Sequence, residues 1–355
     1  MKIVVTGASG NVGTALLGVL RGRGHEVGAV VRRPPPPVAP YDVARWTALD
    51  LSQPASEPRL RELLSEADAL VHLAWGFHPM RRPDYLRAVS VGVLERVVRV
   101  ALDVGVAHVA HTSSVAVYSP RTTPSLVDET WPPGGIPTAT YSQHKVAAEA
   151  TLRRLAAAAG AEDRVAVLRP ALVGHYAAGG PMLRCGLPGI VPGAVLRHVP
   201  VLPVDPRFGI QLVHARDLAD ALVRVVERRA HGPFNIAAEP LLRGPDIAAA
   251  LGARPVPLRR EHARALLAAA WHAHLHPLDP GWVDMALEAP WVDSSRAREE
   301  LGWHPRHTAL DVLAELVRGM SDGSGTASPA LRPRRVLDAC VRAAREGTVA
   351  RRALT

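Results

Sequence analysis

The stretch KIVVTGASGNVGTALLGVL, residues 2 to 20, decides the fold. It opens with an apolar run typical of a buried strand and closes with apolar residues at helical spacing. The glycines between them follow a G-x-x-G-x-x-G spacing, which permits a tight turn and a backbone close to a pyrophosphate. A glycine triplet alone indicates only a turn, but between a strand and a helix it predicts a dinucleotide-phosphate loop. The predicted phosphate-loop residues are Gly7, Ser9, Gly10, Asn11, Val12 and Gly13.

Strand-like and helix-like segments alternate six times over the first 170 residues. Short apolar runs are separated by longer segments with apolar residues at helical period. This alternation predicts an α/β fold with a doubly wound parallel sheet, and ligands are then expected at the carboxyl ends of the strands. The further predicted strands are residues 25–33, 46–52, 68–75, 106–114 and 164–170.

The pattern changes after residue 173, where Gly and Pro become frequent and helical period weakens. We therefore expect a dinucleotide-binding domain at 1–173, to which 205–238 returns with a strand, a helix and a further strand. Residues 174–204 and 239–320 are expected to form a smaller, irregular substrate lobe. Residues 321–355 are expected to be a flexible linker followed by a basic tail helix.

Composition limits the function classes. The chain of 355 residues carries a net charge of +9, but residues 332–352 hold seven arginines against two acids, so much of the excess lies in the tail. A nucleic-acid partner is not expected, since a basic face on the folded body would be needed. No run of 18 apolar residues predicts a membrane span. With no signal-peptide pattern and only two cysteines, the expected compartment is the cytoplasm.

The end of the second predicted strand bears on cofactor choice. An NAD site favours a carboxylate there, but the residues are Val31, Arg32 and Arg33. An arginine can pair with the 2′-phosphate of NADP, so NADP is favoured over NAD; the alternative is that these arginines are simply solvated. Asp50 and Leu51, at the end of the third predicted strand, are placed to meet the adenine.

A tyrosine and a lysine share one face of a predicted helix. Only two of the 42 basic residues are lysines, Lys2 and Lys145, and Lys145 stands four residues after Tyr141. Free tyrosine is a poor base at neutral pH, and a neighbouring cation favours its phenolate. A lysine can also reach ribose hydroxyls. Ser113 or Ser114, ending the fifth predicted strand, would orient a substrate carbonyl; turn capping is the alternative for that serine pair.

These residues resemble the extended short-chain dehydrogenase/reductase family, within the NAD-dependent epimerase/dehydratase group. The resemblance rests on TGASGNVG (6–13), SSVAVY (113–118), YSQHK (141–145) and LVHARDLADA (212–221), and it covers about residues 1–318. It implies Ser114 as the catalytic serine, Tyr141 as general acid/base and Lys145 as its partner. It also implies a homodimer, and it implies that Ala74 and the segment from Pro170 to Val173 line the nicotinamide.

Departures from the family pattern narrow the expected function. Val115 and Ala116 stand where the family's dehydratases carry Asp-Glu, and Ile210 stands where sugar-nucleotide enzymes often carry arginine. We therefore expect an NADPH-preferring oxidoreductase that interconverts a carbonyl and an alcohol on a small non-nucleotide molecule. Two alternatives stay open: a redox-neutral NAD-dependent epimerase of a sugar or sugar nucleotide, and a non-catalytic dinucleotide sensor.

Residues outside the motifs give weaker signals. Three alternating histidines, 272, 274 and 276, have no cluster of acids or cysteines beside them, so no metal site is predicted. Trp75, Phe77 and Met80 follow the fourth predicted strand, where they would wall a substrate pocket or pack the lobe.

Overall fold

The computed structural model describes residues 1–77, 81–186, 191–337 and 340–341. Met80 and most of the predicted tail helix therefore lie outside the described residues. The strands are β1 Lys2–Thr6, β2 Glu26–Val31, β3 Ala44–Ala48, β4 Ala69–His72, β5 His108–Thr112, β6 Val165–Pro170, β7 Leu172–Gly174, β8 Val201–Val204, β9 Gly209–His214, β10 Gly232–Ile236, β11 Ala238–Arg243 and β12 Arg254–Pro257.

Helices alternate with the strands through the first half of the chain and dominate the last third. Those within the described ranges are α1 Asn11–Leu20, α2 Glu57–Ser65, α3 Pro83–Arg87, α4 Val93–Asp103, α5 Thr140–Ala158, α6 Gly179–Gly186, α7 Ala215–Arg228, α8 Gly244–Ala250, α9 Arg260–His272, α10 Gly281–Glu288, α11 Ser295–Leu301 and α12 Ala309–Asp322.

The central sheet confirms the predicted doubly wound fold. Over the described residues it has seven strands in the order β10-β6-β5-β4-β1-β2-β3, and every neighbouring pair is parallel. The order reverses direction at β1 and β4, which is the kind of switch point where such sheets bind ligands. The carboxyl ends of β1 to β6 consequently meet along one edge.

Apolar side chains cover both faces of this sheet. One core is built by β-strand residues with α1 and α7, which pack on each other, and includes Leu16, Leu218 and Leu222. The other face carries α2, α4 and α5 through residues such as Val97 and Leu152. With helices on both sides, the strands are buried on both faces, which explains their nearly continuous apolar sequences.

The helical segment after β4 is divided into two α-helices. A π-helical turn, Ala88–Gly92, separates α3 from α4. Within it the hydroxyl of Ser90 accepts a hydrogen bond of 3.1 Å from the backbone N–H of Gly76. Ser90 of this turn therefore holds the loop after β4 against the helix. Such π-helical bulges often accompany functional sites.

Smaller sheets organise the rest of the chain. Strands β7, β9 and β11 form a three-stranded sheet, and β8 pairs with β12. Strand β10 and helix α7 lie with the central sheet, while α9 and α10 pack together beyond it. In the part of the chain that the structure describes, no helix is long and apolar enough to cross a membrane.

The segment predicted as a flexible linker packs against the body. The Ser328 hydroxyl donates a 2.6 Å hydrogen bond to the carbonyl of Ser9, inside the glycine loop. Thr326 and Tyr41 hydroxyls lie 2.7 Å apart, and Leu331 is buried. The segment is rich in small polar residues, so its composition predicts a linker. Its contacts with Ser9 and Tyr41 depend on the course of the chain in the folded protein, which composition does not show.

Two glycines in the loop after β1 fit only because they lack a side chain. Gly7 has φ of +72°, and an added Cβ would lie 2.7 Å from the backbone nitrogen of Ala74. A Cβ on Gly13 would lie 2.5 Å from the carbonyl oxygen of Ala8. The close contact between the start of α1 and the loop thus requires glycine.

We expect Gly13→Ala to lower the free energy of unfolding by about 1–3 kcal/mol, because the new methyl group collides with backbone that cannot swing away. Gly18→Ala is the matched control on the same helix, since its Cβ would meet only the Cβ of Pro40 at 4.0 Å. Urea denaturation of both variants measures the difference. Equal stability for the two variants would contradict the packing argument.

Candidate active site

The glycine loop presents the N-terminus of α1 to the carboxyl edge of the sheet. Gly10 is its N-cap, in extended conformation, and no side chain caps the helix. The first N–H groups of an uncapped helix attract an anion, and the helix dipole adds to this attraction. Ser9 is buried, whereas Gly10, Asn11 and Val12 are partly accessible. Side chains at Gly7 and Gly13 would collide with the backbone of Ala74 and Ala8, so the loop has the close-packed, uncapped geometry that is typical of pyrophosphate sites.

The other predicted cofactor residues lie along the same edge. Arg32 is exposed directly after β2, and Ala74 follows β4. Asp50 turns back on its own loop, where its carboxylate accepts hydrogen bonds from the backbone and hydroxyl of Ser52, at 3.0 and 2.7 Å. Leu51 follows β3, Pro170 ends β6 and Val173 lies within β7; each is buried or partly buried.

Asn11 joins this edge to the second sheet. Its side-chain amide donates a 3.2 Å hydrogen bond to the carbonyl of Val173, and its oxygen lies 2.6 Å from Nε2 of His175. Neither contact could be inferred from the loop motif, because β7 comes more than 150 residues later. The contacts hold Val173 beside the start of α1.

Lys145 is buried on the face of α5 that meets β5. Its Nζ donates a 3.1 Å hydrogen bond to the carbonyl of Thr112 and lies 3.6 Å from the ring centroid of Trp75. Burial lowers the pKa of Lys145 to about 7, and the carboxylate of Glu149 opposes that shift. The ammonium is therefore poorly hydrated and depends on a carbonyl dipole and an aromatic face.

Tyr141 stands one helical turn before Lys145, among aromatic rings. Phe77 and Trp282 stack with it, each at 5.4 Å between ring centroids, and Trp75 meets it edge-on at 6.2 Å. Burial raises the pKa of Tyr141 to about 12, and a hydrogen bond with Ser114 opposes the rise. The phenol is therefore protonated at neutral pH and can give a proton to a neighbouring oxygen.

The two candidate serines differ in their surroundings. Ser114 caps a short 3-10 turn, its Oγ accepting a 3.2 Å hydrogen bond from the backbone N–H of Ala116, and it also reaches Tyr141. Ser113 is buried, and its hydroxyl has no hydrogen-bond partner among the described residues. The cluster around Tyr141 thus includes Ser114, and its catalytic role stays a prediction.

A buried polar network anchors α5 behind the cluster. Arg169 on β6 donates to both carboxylate oxygens of Glu149, at 3.0 and 2.6 Å. It also donates to the Tyr118 hydroxyl at 2.9 Å, which in turn donates to Asn235 at 2.7 Å. The Arg169 and Glu149 side chains are only 6% and 3% exposed, so solvent does not screen the pair. The network fixes α5 against β6 and β10.

Two groups that contact Tyr141 or Lys145 are not indicated by the sequence motifs. Trp282 lies on α10, and its contact with Tyr141 joins positions 141 residues apart. The Thr112 carbonyl is a backbone group, which no motif identifies. Of these two, only Trp282 stands out in the sequence, because aromatic residues are scarce in this chain.

Comparisons with known proteins place these observations in context. The model of the NAD-dependent epimerase/dehydratase family matches residues 3–237. An uncharacterized protein, y4nG, from Sinorhizobium fredii is 28% identical over 324 residues, which are 88% of this chain and 76% of that protein.

Two solved structures illustrate the structural likeness. UDP-glucose 4-epimerase from Thermotoga maritima, solved with UDP-glucose, is 18% identical with a TM-score of 0.67, covering 90% of this chain and 98% of its own. Human epimerase family protein SDR39U1, solved with NADPH, is 23% identical with a TM-score of 0.61, covering 89% and 99%. At these identities the likeness shows the shared fold.

Arg169→Met should lower the free energy of unfolding by about 3–5 kcal/mol, because it leaves the Glu149 carboxylate buried and unpaired. The control is Arg154→Met, which breaks the 2.7 Å pair with Glu95, whose side chains are 61% and 48% exposed. That change should lower it by less than about 1 kcal/mol. Chemical denaturation compares them, and similar losses in both would refute the anchoring role.

Proposed function

The chain belongs to the NAD-dependent epimerase/dehydratase family, a group of nicotinamide-dependent enzymes, and from that premise we propose that it interconverts a carbonyl and an alcohol on a small non-nucleotide substrate. One observation carries the proposal. Ser114, Tyr141 and Lys145 are brought together at the carboxyl edge of the sheet that also holds the glycine loop. Homodimeric assembly and a cytoplasmic location remain predictions from the sequence.

In this proposal Tyr141 transfers the proton, and Lys145 stabilises the negative charge that Tyr141 then carries. A bound nicotinamide dinucleotide supplies or accepts the hydride. Tyr141 Oη gives its proton to the substrate oxygen during reduction, while the Ser114 hydroxyl holds that oxygen in place. The Lys145 ammonium, one helical turn away, stabilises the phenolate that remains. In oxidation the same groups act in reverse, and the Tyr141 phenolate accepts the proton of the alcohol.

The surroundings of Tyr141 support a non-nucleotide substrate. Trp75, Phe77 and Trp282 give the site an apolar, aromatic wall, and Phe77 is 42% exposed at its mouth. Such walls favour apolar or planar molecules over a diphosphate. Val115 and Ala116 supply none of the acid groups that dehydration needs.

Exposed Arg32 supports a preference for NADPH. It directly follows β2, at the position where an NAD site favours a carboxylate, and its guanidinium is free to approach a 2′-phosphate from solvent. Arginine suits this task because its fork of donors matches the oxygens of a phosphate.

Redox-neutral epimerisation is the second candidate, favoured by the family itself and by the fold shared with UDP-glucose 4-epimerase. An epimerase of this kind would retain its dinucleotide through purification. A dinucleotide sensor would need no proton donor at position 141. Cofactor content and the Tyr141 variant therefore separate the three functions.

Tyr141→Phe should lower turnover by about 10²- to 10⁴-fold while leaving dinucleotide binding intact, because only the proton donor is lost. Tyr176→Phe is the control, since its hydroxyl bonds Asp322 on the exposed surface at 2.9 Å. Carbonyl reduction is followed by loss of NADPH absorbance and binding by nicotinamide fluorescence. Unchanged turnover in Tyr141→Phe would rule out the proposed role.

Arg32→Ala should weaken NADPH binding by about tenfold or more and leave NADH binding nearly unchanged, because a charged hydrogen bond to the 2′-phosphate is lost. Arg45→Ala, which removes another exposed arginine from the neighbouring strand β3, is the matched control. Fluorescence titration with both dinucleotides gives the affinities. Equal or tighter NADH binding by the unmodified protein would refute the preference.

A further inference from the structure

His175, the residue after β7, contacts the glycine loop. Strand β7 runs parallel to β9, with Gly174 opposite His214, and His175 itself is in extended conformation. Its Nε2 lies 2.6 Å from Oδ1 of Asn11, the first residue of α1. The contact therefore joins residues 164 positions apart in the chain, one in the glycine loop and one beside the segment expected to line the nicotinamide.

The Val173 carbonyl fixes the direction of the hydrogen bonds in this contact. A carbonyl only accepts, so the Asn11 side chain turns its Nδ2 donor towards Val173, at 3.2 Å, and its oxygen towards His175. The His175 ring must then carry its hydrogen on Nε2. Burial lowers the pKa of His175 to about 4, and the neighbouring His214 adds to this effect. The ring is therefore neutral near pH 7, and it donates its one N–H to Asn11.

Neighbouring groups leave His175 little freedom to turn away from Asn11. Its ring meets the His214 ring edge-on at 6.0 Å between centroids, and His214 stacks on His307 at 3.8 Å. The backbone N–H of the next residue, Tyr176, donates a 3.3 Å hydrogen bond to the carboxylate of Glu315 on α12. The second sheet and α12 thus hold His175, and His175 in turn holds the start of α1.

Two parts of a dinucleotide belong on the two sides of this contact. The glycine loop and the uncapped N–H groups of α1 attract a pyrophosphate, whereas the segment from Pro170 to Val173 is expected to line the nicotinamide. The covalent structure of a dinucleotide limits the distance between these two groups. A protein that already holds its two binding segments at a matching distance avoids the cost of ordering them on binding.

We propose that Asn11 and His175 form a clamp that fixes the distance between the pyrophosphate loop and the nicotinamide segment. His175 is a positioning residue in this clamp, because it acts through Asn11 and Val173 and needs no contact with the cofactor. The inference rests on the proposed function, since it requires that the glycine loop binds a nicotinamide dinucleotide.

Binding of NADPH, NADH and ADP to the whole chain tests the clamp, since ADP carries the adenosine and two phosphates but no nicotinamide. His175→Leu should weaken binding of the preferred dinucleotide about tenfold, because the Asn11 amide loses its donor. ADP should lose less than about threefold, because the loop can still adjust to the phosphates alone. His175→Gln, whose amide N–H can replace the imidazole N–H, should restore most of the affinity. Nicotinamide fluorescence follows the dinucleotides, and calorimetry follows ADP.

His108→Leu is the matched control. It removes a 2.8 Å hydrogen bond from a buried histidine to the Ala230 carbonyl, at the amino end of β5, on the opposite edge of the sheet from the glycine loop. This variant should bind dinucleotide as the unmodified protein does. In an Asn11→Ala background, His175→Leu should cause no further loss of affinity, because the clamp is already open.

Thermal unfolding checks that each variant is folded, and if His175→Leu is not, Asn11→Ala decides by the same comparison of dinucleotide with ADP. Equal losses for the dinucleotide and ADP would overturn the proposal, because His175 would then support the loop as a whole. So would unchanged dinucleotide affinity in a folded His175→Leu. If the unmodified protein bound neither NADPH nor NADH, the proposed function would fail, and the clamp with it.

Discussion

The buried ion pair between Arg169 and Glu149 is the constraint on which the site depends. It joins β6 to α5 through two hydrogen bonds of 3.0 and 2.6 Å in a region closed to solvent. Glu149, Lys145 and Tyr141 follow one another at single helical turns along α5, so fixing the first places the other two. Glu149 also favours the charged form of Lys145, so the same carboxylate that positions the helix supports the charge on the lysine.

Burying Lys145 costs folding free energy. Its pKa falls from an ordinary value of 10.5 to about 7, so the unfolded chain binds this proton more tightly than the folded chain. The lysine therefore destabilises the fold near neutral pH, and this penalty diminishes as pH rises from about 7 towards 10.5. The Thr112 carbonyl and the Trp75 face offset part of it. Residues whose pKa is shifted this far by burial commonly belong to functional sites.

Local patterns in the sequence predicted the parts of the fold that local physics determines. The run from Lys2 to Gly13 contains its own strand, turn and helix start, and the Tyr141–Lys145 spacing defines a helix face by itself. Trp282 could not be placed this way, because its contact with Tyr141 depends on how the lobe folds back. Composition likewise predicts a linker at Ser328, but its hydroxyl donates a hydrogen bond to Ser9 in the glycine loop, 319 positions earlier in the chain. Contacts between residues this far apart in the chain leave no periodic pattern in the local sequence.

The central claim is that Tyr141 protonates an oxygen whose carbon receives hydride from a nicotinamide. The most direct test incubates the enzyme with NADPH deuterated at C4 and a panel of small aromatic and aliphatic carbonyl compounds, and measures deuterium in the alcohol products by mass spectrometry. We predict deuterium at the former carbonyl carbon with the unmodified enzyme and its near-absence with Tyr141→Phe. An enzyme that purifies with bound dinucleotide and transfers no deuterium to any carbonyl compound would contradict the account and favour redox-neutral epimerisation.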